Sequence, residues 1–85
     1  MAKLKVFSIR DNKLDTFTSL ITHTHTGQAE RTLMELARDK QTAIAKYPDD
    51  YTMYQIGEYD EQSGLMTSIQ PVQVMSAIQA VKQVS

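Results

Sequence analysis

The sequence predicts a small α+β domain of β-α-β-β-α order, with a mostly antiparallel three-stranded sheet and helices packed on one face. Three observations carry this expectation. The stretch from Tyr51 to Ile69, YTMYQIGEYDEQSGLMTSI, holds three of the four tyrosines and two of the three glycines, and reads as two strands joined by a polar turn. Residues 28–47 carry apolar side chains at three- and four-residue intervals, the mark of a helix with one buried face. A second such segment, 71–84, opens on a proline.

In chain order, residues 3–10 (KLKVFSIR) form the first expected strand. Leu4 and Val6 fall on one face and Phe7 and Ile9 on the other, with Lys3 and Lys5 in the second set. Apolar residues on both faces imply a strand covered on both sides or one shared with a second copy. Asp11-Asn12 then signals a turn.

Residues 11–26 (DNKLDTFTSLITHTHT) are read as an irregular connection. Leu14, Phe17, Leu20 and Ile21 have roughly helical spacing, but the threonines around them disfavour a helix. Phe17 and Leu20 are expected to anchor the connection on the core. Thr26 is expected to cap the helix over 28–47, which Pro48 ends.

The hairpin follows, with strands 51–60 and 65–69. Gly57 in mid-strand implies a bulge or a close backbone approach, and Gly64 can take positive φ in the turn after Asp60. Pro71 is placed at the first position of the last helix, where Val74, Ile78 and Val81 step by four and three.

Eighty-five residues are expected to form one domain over 1–85, with stability of about 4–9 kcal/mol. There are no cysteines, which excludes disulfides and thiolate chemistry. No apolar run approaches the roughly 18 residues of a membrane span, and MAKLKVFSIR lacks the apolar stretch of a signal peptide, so neither membrane insertion nor export is expected. Net charge is −1 but unevenly spread: residues 1–46 hold eight Lys/Arg against five Asp/Glu, and residues 47–85 hold Lys82 against five acids.

No residue pattern calls for catalysis. His23 and His25, two apart, would share one side of an extended segment, but no third ligand stands at recognisable spacing, so no metal or cofactor is expected. Asp49-Asp50 and Asp60-Glu61 lie where acids serve turns. Phosphate-loop, nucleophile-elbow and zinc-protease patterns are missing. The protein is expected not to be an enzyme.

A nucleic-acid reading has more to stand on. Lys3, Lys5, Arg10 and Lys13 flank Phe7 on or near the first strand, and Tyr54 lies on a neighbouring one. Aromatic faces on a sheet with cations nearby are how single-stranded DNA is held without sequence preference. Arg31, Arg38 and Lys40 could extend that track. The competing reading puts Phe7, Tyr51 and Tyr54 in the core and leaves the cations as a solvated rim.

The opening LKVFSIRD, the helix start GQAER, the stretch KYPDDYTMYQIGEYDEQSG and the proline-led final segment together resemble the small non-structural protein of gokushoviruses, single-stranded DNA phages of the Microviridae. The resemblance runs over residues 3–82 and is most specific in the YPDDY…IGEYDEQSG block. It implies a non-capsid protein made in the cytoplasm of the infected bacterium. It further implies a DNA-binding role in viral genome replication or packaging, with phage replication or packaging proteins as partners.

Together these readings give an accessory factor that binds single-stranded DNA through Lys3, Lys5, Phe7, Arg10, Lys13 and Tyr54. A homodimer is expected from the two-sided first strand and small size. The alternative is a protein–protein adaptor that engages the replication initiator, the procapsid or a host factor through its acidic second half.

Overall fold

In the computed structural model, which describes residues 3–84, strand β1 (Lys3–Asp11) lies inside a four-stranded antiparallel sheet. On one side it pairs with β2 (Thr16–His23) and on the other with β3 (Tyr51–Asp60); β3 in turn pairs with β4 (Met66–Ser76). The order β2-β1-β3-β4 leaves β2 and β4 at the edges. Val6 on one face of β1 and Phe7 and Ile9 on the other are all buried within one chain, so the two-sided apolar pattern does not call for a second copy.

The sheet has four strands, not three, because residues 11–26 are mostly strand. A hairpin turn returns the chain at Asp11, whose Oδ1 accepts from the amides of Lys13 and Leu14 at 3.0 and 3.2 Å. Asp15 there takes φ 53°, a left-handed conformation that aspartate tolerates better than most residues. The strand alternation is hidden by a bulge at Ser19, which has φ 36° and falls between the pairs Ser8–Leu20 and Ile9–Thr18. One extra residue shifts the period, so that Phe17 and Leu20 share a face while Ile21 turns to the other. Phe17 and Leu20 are 42% and 66% exposed and do not anchor the core.

The helices pack on one face of the sheet. Helix α1 (Thr26–Arg38) buries Ala29, Leu33 and Ala37 against Phe7, Ile9 and Met53. Its N-cap is His25 rather than Thr26, and the His25 amide donates to Gln28 Oε1 at 2.9 Å. The expected single helix 28–47 is interrupted. Asp39 Oδ1 accepts from the Gln41 amide at 3.0 Å, and Thr42 Oγ1 accepts from the Ala45 amide at 3.1 Å, starting a short α2 (Ala43–Lys46) that buries Ile44. A 3₁₀ turn (Pro48–Asp50) then leads into β3.

Pro71 does not begin a helix. It lies within β4, where Ile69, Gln70 and Pro71 bulge between the pairs Gln55–Val72 and Gly57–Ser68. An outer strand tolerates the missing N–H. The strand runs well past the expected 65–69, and α3 (Ala77–Val84) starts six residues after the proline. Ser76 and Gln79 form a capping box: Ser76 Oγ accepts from the Gln79 amide at 3.2 Å, and Gln79 Oε1 accepts from the Ser76 amide at 2.9 Å. Ala77 and Ala80 complete the core with Met75. Residues 1, 2 and 85 of the expected domain lie outside the described residues. No helix among the described residues is long and apolar enough to cross a membrane.

Candidate functional site

The pleat divides the six expected DNA-contacting residues between the two sides of the sheet. Ser8 pairs with Leu20 on β2 and Tyr54 on β3, and Arg10 pairs with Phe17. These residues form the face without helices. Across the fully buried Ser8, Phe17 and Tyr54 meet edge to face, ring centroids 5.7 Å apart and planes at 73°. Ser8 Oγ donates to the Thr18 carbonyl, which fixes β2 to β1 beneath the two rings. Tyr54 is half-buried and Phe17 remains accessible.

Arg10 stands at the turn end of this face. Its guanidinium donates from Nη1 to Asn12 Oδ1 at 2.8 Å and from Nη2 to Asp15 Oδ1 at 2.7 Å, while Asn12 Nδ2 donates to Thr52 Oγ1 at 3.1 Å. The network holds Arg10 in place beside Phe17 while Asp15 offsets part of its charge. Lys13 is exposed in the same turn. Arg10 and Tyr54 therefore share this face with Phe17, which does not anchor the core, and Lys13 lies in the turn at its end.

Lys3, Lys5 and Phe7 belong elsewhere. Phe7 is fully buried under the helices and has no free face for stacking on a base. Lys5 is opposite Glu58, and its Nζ donates to Thr26 Oγ1 at 3.4 Å on the helix side. Lys3 is opposite Asp60, and both line a small cleft with Glu58. Arg31 and Arg38 are exposed on α1, across the sheet from Tyr54, and do not extend the track.

His23 and His25 do not converge. His23 ends β2 with Nε2 2.8 Å from Thr32 Oγ1 and its ring tilted over Phe7, whereas His25 caps α1. Among the described residues no three His, Cys, Asp or Glu side chains cluster as metal ligands.

On the helix side, a cleft of about 550 Å³ opens between β2, α1 and α2, where the break after Arg38 leaves the sheet uncovered. Ile9, Ile21, Leu36 and Ile44 line it, with Tyr51 and Asp11 among the polar groups. Burial, and after it the charges of Asp11 and Asp50, push the Tyr51 hydroxyl above its ordinary pKa, so it stays a neutral hydrogen-bonding group.

The fold and its surfaces define a four-stranded α+β domain, covered by helices on one side and presenting an aromatic pair with a cationic end on the other. Residues 4–80 match the family described as Phage ORF5 protein, and the chain belongs to that phage family. No curated protein and no solved structure matches it.

Proposed function

We propose that this phage protein is a non-enzymatic accessory factor of the gokushovirus non-structural kind, which holds single-stranded DNA on its open sheet face during genome replication or packaging in the bacterial cytoplasm. The observation that carries the reading is the Phe17–Tyr54 pair beside Arg10, with the exposed Lys13 in the adjoining turn. Accessible rings stack on bases of any identity, and the two cations reach the phosphates between them. Lys3 and Lys5, at the far end of β1 with Lys5 turned to the helix side, contribute little to this site. Phe7 supports it only as core.

Fluorescence anisotropy of labelled single-stranded and duplex oligonucleotides, repeated over a salt series, tests the reading. Preferential single-strand binding is expected, with a shallow salt dependence. Two phosphate contacts give a slope of log K against log salt of about −1.4. Failure to bind at low salt overturns it and favours an adaptor. The observation behind that second reading is the exposed β3–β4 turn, where Glu61 stands beside Leu65 and Met66 in the acidic half of the chain.

A further inference from the structure

We propose that the outer edge of β2 pairs antiparallel with the β2 edge of a second copy of this chain, joining two four-stranded sheets into one of eight. This does not rest on DNA binding. An edge strand presents unpaired N–H and C=O groups, which proteins commonly guard with charged side chains, prolines or bulges. Here the sheet's charged residues lie on the inner strands: Lys3, Lys5, Arg10 and Asp11 on β1, Glu58 and Asp60 on β3. Neither β2 nor β4 contains an Asp, Glu, Lys or Arg. The two edges nevertheless differ. On β4, Pro71 and the bulge over residues 69–71 interrupt the edge midway. β2 also bulges midway, but by the single residue Ser19 and without a proline, and past it the run Leu20–His23 stays in unbroken register with β1.

Apolar surface lies open on both sides of that run. On the face without helices, Leu20 is 66% exposed. On the other side Ile21 lines the 550 Å³ cleft with Leu36 and Ile44. Three hydroxyls in the cleft wall are already bonded internally: Thr18 to the Ile9 carbonyl, Thr32 to that of Gln28 and Thr42 to that of Leu36. Ser19, Asp11 and Tyr51 are the other polar groups of the lining, and the rest is hydrocarbon. A strand laid along the edge would satisfy the backbone and send alternate side chains over Leu20 and into the cleft mouth.

The occupant this edge demands is an extended, uncharged segment with apolar side chains on both faces. β2 itself is such a segment. A two-fold contact places the same patch on both partners, and self-pairing of β2 sets no like-charged Asp, Glu, Lys or Arg opposite one another. A peptide chosen by charge would find none on β2 to recognise.

Sedimentation equilibrium over a wide concentration range, paired with amide hydrogen exchange, tests the proposal on the intact chain. The mass is expected to rise toward twice the 9.6 kDa of one chain, with exchange at Leu20–His23 slowing as the dimer fills. Thr22→Lys, at an exposed β2 position, is expected to return the mass to one chain and abolish the concentration dependence of exchange. Thr67→Lys, exposed on β4, is expected to leave both unchanged. A one-chain mass at every concentration overturns the proposal. So does a dimer that survives Thr22→Lys, or one lost only with Thr67→Lys. The exchange measurement on the unmodified chain decides the matter even if a variant folds poorly.

Discussion

Gly57 on β3 faces the carbonyl of Thr67 on β4 so closely that a Cβ at position 57 would lie 2.5 Å from that oxygen. The contact is with backbone, so no side-chain rotation relieves it. Gly57→Ala is expected to cost about 1–3 kcal/mol, the usual range for overpacking, by forcing the hairpin apart. Denaturant unfolding measures it. A cost below a few tenths of a kcal/mol would show that β4 shifts freely. Gly64, with φ 77° and open space around it, is sensitive for a different reason: its backbone conformation.

Phe7 is expected to act through stability and not through binding. Phe7→Ala removes a fully buried ring and should cost about 3–5 kcal/mol, enough to unfold a marginal domain. Phe7→Leu keeps most of the volume and permits a binding measurement. Its single-strand affinity is expected to stay within about twofold of the unsubstituted chain, well under the tenfold that 1.4 kcal/mol represents. A larger loss in a folded Phe7→Leu would return Phe7 to the binding surface.

The open face makes the opposite prediction. Phe17→Ala and Tyr54→Ala should each weaken single-strand binding by about 1–3 kcal/mol, the value of one base–aromatic stack. Unfolding midpoints should move less for Phe17→Ala than for Phe7→Ala, because Phe17 is already 42% exposed. Anisotropy titrations of the two variants, unchanged from the parent, would remove the aromatic pair from the site.

Asp60 gives the molecule a dependence on acid. The amides of Gln62 and Ser63 donate to its Oδ1 at 2.9 and 3.3 Å and, with Lys3 beyond them, hold its carboxyl below the usual carboxylate range. A carboxyl lowered in the folded state adds stability that is complete above its unfolded pKa and fades as pH falls through the folded one. The stability gap between the parent and Asp60→Asn should therefore be present at neutral pH and close on the acid side. Urea midpoints measured from neutral pH down through the carboxylate range report it. A gap independent of pH would assign the effect to turn geometry and not to charge.

The parts of this fold legible in the sequence were those whose local signals ran unbroken. Residues 3–10 and 51–60 are rich enough in β-branched, aromatic and other apolar residues between turn signals to place their strands, and Gly57 marks the close approach it makes. Where the structure departs from the sequence pattern, a local interruption is the cause, and it differs from place to place. At Ser19 one extra residue turned a strand into something with near-helical spacing. At Asp39–Thr42 a polar run with its own cap interrupted a stripe that otherwise looked continuous. At Pro71 a residue favoured at helix starts served instead in a bulge, while the actual cap lay at Ser76 with Gln79 three residues on. For the site, residue type marked Arg10, Lys13 and Tyr54, but the face of Phe17 depends on the bulge at Ser19, and that of Phe7 on which side of the sheet the helices cover.

The strand order also sets a sequence of events in folding. β1–β2 and β3–β4 are hairpins joined by four and five residues, whereas the β1–β3 seam closes a segment of 39 residues between Asp11 and Tyr51. Closing a loop roughly eight times longer costs about 1.8 kcal/mol more in chain entropy. The hairpins are thus expected to form early and locally, and the slow step to be the pairing of their inner strands, β1 with β3, under α1. Substitutions at the seam, such as Ile9→Val opposite Met53, should slow folding, while those on the outer half of β4 should mainly hasten unfolding. Stopped-flow chevrons separate the two, and equal folding-limb effects from both sets would show that the seam is not the late step.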